Sequence, residues 1–110
     1  MASVDPVLAR FRAALNEIYG ERLERVVLFG SRARGDARPD SDYDIALIAS
    51  VAVFLKSLSD RREELHRLAD LRVQFLDDTG VFFDTKAFPV TAYRDRTPIM
   101  HEIRLDGLDI

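Results

Sequence analysis

Apolar residues recur along the first part of the chain at Val7, Phe11, Leu15 and Ile18, spacings of four, four and three that predict a helix over Asp5–Tyr19. Pro6 suits the first turn of such a helix, Arg10, Arg12 and Glu17 fall on its solvated side, and Gly20 ends it. The pattern then changes. Arg25–Phe29 (RVVLF) is a short run that is almost wholly apolar, as expected of a strand covered on both faces. After a polar segment, DYDIALIAS predicts a second strand over Asp42–Ser50, in which Asp42, Asp44, Ala46 and Ile48 share one face and Tyr43, Ile45 and Leu47 the other.

Helical periodicity returns at Leu65, Leu68, Ala69, Arg72, Phe75 and Leu76, predicting a second helix from about Ser59 to Leu76 with Gly80 as its stop. Val81–Phe88 (VFFDTKAF) reads as a third strand with Asp84 near its middle. Thr97-Pro98 opens a third helix through about Leu105, with Ile99, Met100 and Ile103 turned inward, and Gly107 closes it before a short LDI tail. The expected class is α+β (or α/β): a small mixed β-sheet of three to four strands flanked by about three helices.

A length of 110 residues fits one domain, and 47% hydrophobic residues supply a core without disulfides or structural metal. No repeat or linker divides the chain, so residues 1–110 are expected to form a single domain. The net charge of -3 gives no global attraction to nucleic acid or anionic membrane, so any anion site must be local. With no cysteine, thiolate zinc sites are excluded; with no export signal and no run of about 18 apolar residues, a cytoplasmic location is the expectation. No basic stripe with interleaved aromatics argues for nucleic acid as a partner.

One segment carries chemistry. In LFGSRARGDARPDSDYDIALI, Leu28–Ile48, two aspartates stand one residue apart on a strand face, about 6.5–7 Å apart at the backbone by strand rise. Like charges so close repel unless a cation lies between them, and hard carboxylate ligands with room for phosphate suit magnesium. Gly30 lets an anion approach the backbone closely, Ser31 offers a hydroxyl and an amide where a helical turn is expected to begin, and Arg32, Arg34 and Arg38 add positive charge. Arg32 lies nearest the Gly-Ser pair. A Gly-Ser grip on phosphate beside a metal on Asp42 and Asp44 is the arrangement phosphoryl or nucleotidyl transfer requires. His66 and His101 lie among charged residues without a zinc-like spacing and are expected at the surface; Tyr93 is expected to anchor a loop.

Gly30-Ser31, ten residues, then Asp42-Tyr43-Asp44 resembles the signature of nucleotidyltransferases with the DNA polymerase beta-like fold, and GSRARG with SDYDIAL resembles the minimal nucleotidyltransferases of prokaryotes. The resemblance implies that Asp42 and Asp44 are metal ligands for magnesium, with two ions, and that Gly30, Ser31 and Arg32 bind the nucleotide. It also implies a third carboxylate on a later strand, which completes the metal site and activates the acceptor hydroxyl. Asp84 takes that place by position, with Asp77 and Asp78 as rivals. The activity implied is transfer of a nucleoside monophosphate, AMP from ATP, to a hydroxyl. The partner implied is a small helical HEPN toxin whose tyrosine is modified, the chain acting as antitoxin. An antitoxin that neutralises by binding alone, and a subunit of an aminoglycoside-type nucleotidyltransferase, are the alternatives.

Overall fold

The computed structural model describes residues 5–33, 47–58 and 60–110. Asp42, Asp44, Tyr43, Arg34 and Arg38 lie outside the described residues, as do the side chains of Ser31 and Arg32.

Helix α1, Asp5–Tyr19, occupies the predicted span. Leu8, Phe11, Leu15 and Tyr19 are its buried residues, while Val7 and Ile18 are only partly covered, so its buried stripe is turned slightly from the predicted one. Gly20, at φ +55°, turns the chain through a 3₁₀ segment over Gly20–Arg22 into strand β1, Leu23–Ala33. Strand β2, Leu47–Leu55, runs antiparallel to β1. Helix α2, Arg61–Thr79, crosses back to strand β3, Val81–Pro89, which lies parallel to β2, as a helical crossover allows. A 3₁₀ segment over Val90–Arg94 leads to helix α3, Pro98–Asp106, and strand β4, Leu108–Asp109, pairs antiparallel with β1. The mixed sheet has the order β3-β2-β1-β4.

Local chemistry fixes the helix ends. The Asp60 carboxylate accepts from the amides of Arg62 and Glu63 at 3.0 and 3.1 Å, which moves the start of α2 just past the predicted Ser59. Gly80, at φ +75°, caps the other end and donates to Leu76 O at 2.9 Å. Thr97 Oγ1 accepts from Met100 N ahead of Pro98, as predicted for α3.

Three expectations give way. The strand predicted over Asp42–Ser50 runs on to Leu55, because Val51–Leu55 is entirely buried between helices on both sides of the sheet and such a run is stable only as a central strand. The strand predicted to stop at Phe29 continues through Gly30 and Ser31, which pair with Ser50 and Ala49; no helical turn begins at Ser31, because backbone pairing with β2 satisfies these residues instead. On α2, Leu65 is 66% exposed and Glu64 is buried in its stead, beside Leu68, Leu71 and Phe75.

The two sheet faces are covered unequally. One packs under α1 and α2, where Phe11 stacks on Phe83 at 3.9 Å and Phe75 meets both rings edge-on. On the other, Met100 and Ile103 of α3 cover Val27, Ala52 and Phe54. Tyr93 anchors the preceding segment, its ring 4.1 Å from the Arg25 guanidinium carbon and edge-on to Phe54. Among the described residues this second cover centres on Val27, Ala52 and Phe54 and reaches Phe88 near the end of β3; the row described below lies beyond it on the same face.

Candidate functional site

Register brings three residues into one row across the sheet. Gly30 pairs with Ser50, and Ser50 pairs with Asp84. Alternation along β2 puts Ser50 on the face of Ala52 and Phe54, so the row continues the surface that α3 covers further along. Here Gly30 is exposed and Ser50 and Asp84 are half-buried. With neighbouring strands about 4.8 Å apart, the row spans roughly 10 Å from the Gly30 backbone to Asp84, room for a phosphate chain between them.

Gly30 is the informative member. Its φ is not positive, so the backbone does not demand glycine. A Cβ there would meet Ser50 Cβ at 3.6 Å and Oγ at 3.7 Å, ordinary contact, so packing among the described residues does not demand it either. The register shift between Leu28 and Gly30 marks a bulge, yet one without the left-handed glycine that some bulges need. Glycine weakens a strand, and where neither strain nor space calls for it the remaining reason is close approach of another group to the backbone.

The backbone of Ser31 pairs with Ala49, and that of Arg32 with Ile48, which in turn pairs with Phe82 of β3. Both continue from Gly30 along the same strand. Asp84 lies on β3, the edge strand, whereas the rivals Asp77 and Asp78 lie exposed in the last turn of α2, Asp78 on the groove between α1 and α2. Of the three candidates for the third acid, Asp84 alone shares the row with Gly30 and Ser50. Among the described residues no three carboxylate or imidazole groups come together as a metal cluster. Asp84 is a hard oxygen donor on an open, half-buried face, which suits a divalent cation shared with phosphate. His66 and His101 are exposed, as expected.

Sequence reasoning missed Ser50. Its neighbours Ala49 and Val51 are buried in the core, and only the pairing of β2 with both Gly30 and Asp84 marks it out.

No helix among the described residues is long and apolar enough to cross a membrane. No solved structure gives a significant match to the chain. Three proteins of Methanocaldococcus jannaschii, each named "Putative protein adenylyltransferase", are similar to it. One is 34% identical over 76 residues, 68% of this chain and 48% of its own length. Another is 36% identical over 50 residues, 46% of this chain and 50% of its own. The third is 38% identical over 47 residues, 43% and 47% of the two chains. The matched stretches thus span about half the length of these relatives. The family model described as nucleotidyltransferase domain matches residues 8–98, from α1 to the start of α3 and across the whole open row, and the chain belongs to that family.

Proposed function

We propose that the chain transfers a nucleoside monophosphate, AMP from ATP, to a hydroxyl of a protein acceptor in a magnesium-dependent reaction. The observation that carries this reading is Gly30: an exposed strand glycine that neither its φ nor its contacts with the described residues call for, level with Ser50 and Asp84 across the sheet. Family membership supports a nucleoside triphosphate as substrate, and the names of the relatives support protein as acceptor.

In this reading the backbone at Gly30, Ser31 and Arg32 holds the triphosphate, and Asp42, Asp44 and Asp84 hold magnesium. When bound, the metal neutralises phosphate charge and stabilises the leaving oxygen. The acceptor oxygen bonds to the α-phosphorus, the bond to the β-phosphate oxygen breaks, and pyrophosphate leaves. Asp84 takes the acceptor proton. The acceptor is a tyrosine of a small helical HEPN toxin, which makes the chain an antitoxin, and residues 1–110 form one catalytic unit.

Incubation with α-labelled ATP, magnesium and a candidate helical partner tests this. Label appears on the partner and vanishes with Asp42→Asn plus Asp44→Asn. Label transfer that survives the double substitution overturns the site assignment. A stable complex without transfer by the intact chain overturns the enzymatic reading in favour of neutralisation by binding, and label on a small molecule instead moves the acceptor to the aminoglycoside type.

A further inference from the structure

The outward side of α2 is built as if to meet something. Arg62, Leu65, Ala69, Val73 and Asp77 recur at spacings of three, four, four and four, forming a stripe beside the buried face of Glu64, Leu68, Leu71 and Phe75. Leu65 and Val73 are 66% and 56% exposed, and they account for two of the four exposed large hydrophobic residues among those described. Against the stripe, Ala69, Val73, Leu76 and Phe82, with Arg72 on one wall, line a largely apolar groove of about 280 Å³ between α2 and the edge strand β3.

The charges at the stripe's ends carry the argument. Arg61 and Arg62 stand in the first turn of α2 beside the capping Asp60 and the acids Glu63 and Glu64, whereas Asp77 and Asp78 stand in its last turn with no base among them; Arg62 and Asp77 are exposed and fall on the stripe. The two aspartates oppose the helix dipole, which favours bases at the C-terminus, so the helix by itself gains nothing from them. A second α2 laid antiparallel does gain: Arg62 at one end of the stripe meets Asp77 of the other copy, and the small Ala69, midway between the two, lets the helices approach at the crossing.

We propose that α2 pairs antiparallel with α2 of a second copy of this chain, crossing near Ala69. Two-fold symmetry sets Arg62 against the partner's Asp77 at both ends, and Leu65 enters the groove beside the partner's Val73. A single helix pair is a small interface, so the dimer is reversible and salt-sensitive.

Sedimentation velocity from micromolar to millimolar protein tests this. The wild type moves from monomer to dimer with rising concentration, and high salt reverses it. Arg62→Asp and Asp77→Arg each raise the dissociation constant by about tenfold or more, since symmetry doubles every lost pair. An equimolar mixture of the two single variants recovers association, because each then supplies the charges the other lost. Ala69→Arg abolishes it, with circular dichroism confirming that each variant is folded. A wild type that stays monomeric throughout, or a mixture no tighter than its components, overturns the proposal.

Discussion

Arg22 Nη2 lies 3.0 Å from Glu64 Oε1, and the two ends of this pair differ sharply in burial: the arginine side chain is 35% exposed, the glutamate 4%. Arg22 also donates to Ser57 O at 2.9 Å and to Ser57 Oγ at 3.2 Å. One guanidinium therefore ties the turn after α1 to the loop before α2. The pair is asymmetric in consequence as well as in burial. Arg22→Ala strands a buried carboxylate and is expected to cost about 2–3 kcal/mol, whereas Glu64→Met, which removes the charge and keeps apolar volume, costs less than about 1 kcal/mol. Urea unfolding of the two variants and their double mutant measures both numbers; equal losses would mean that the buried charge is not the source of the effect.

The Tyr19 hydroxyl is buried beside the Glu64 carboxylate, whose Oε2 is buried as well. Burial first, then the neighbouring Glu64 carboxylate, pushes the Tyr19 phenol up from its ordinary 10.0. The native state thus holds the phenolic proton more tightly than the unfolded chain does. The resulting stability is fully present below the unfolded value of 10.0 and is lost as pH rises above it toward the higher folded value. Thermal unfolding should show a midpoint that falls above about pH 10. Tyr19→Phe should shrink that fall, since it removes the group that titrates there. An unchanged alkaline slope in the variant would assign the effect to other groups.

What the sequence made legible follows from how local each signal is. α1 and α3 were bounded correctly because periodicity, Pro6 or Thr97-Pro98, and a following glycine all act within one or two turns. Leu65 and Glu64 were exchanged because periodicity counts apolar residues and does not register that Arg22, 42 positions away, offers the glutamate a buried partner. The continuation of β1 past Phe29 and of β2 past Ser50 depends on pairing between strands, so Gly30-Ser31 read as a turn. Ser50 was invisible for the same reason. Asp84 was singled out by type and position alone, and register now puts it level with Gly30.

Two glycines make opposite predictions. A Cβ at Gly107 would collide with Ile103 O and Val27 Cγ1, atoms of the covered core, so Gly107→Ala should destabilise the fold by about 1–3 kcal/mol. A Cβ at Gly30 meets only ordinary contacts with Ser50, so Gly30→Ala should leave the unfolding midpoint nearly unchanged. Its expected cost falls on nucleotide: weaker ATP binding by calorimetry and a transfer rate reduced at least tenfold, because the methyl group occupies the approach to the backbone. A Gly30→Ala protein with full affinity and rate would remove the observation on which the functional reading chiefly rests.

Asp84 provides the sharpest test of the catalytic arrangement. It is level with Ser50 of β2 and, across it, with Gly30 of β1. Asp84→Asn should keep the fold, since the side chain is only half-buried, while lowering transfer about a hundredfold or more and raising the magnesium concentration needed for half-maximal rate. Loss of rate with an unchanged magnesium requirement would keep Asp84 as proton acceptor alone. A wild-type rate and requirement would show that Asp42 and Asp44 act without it.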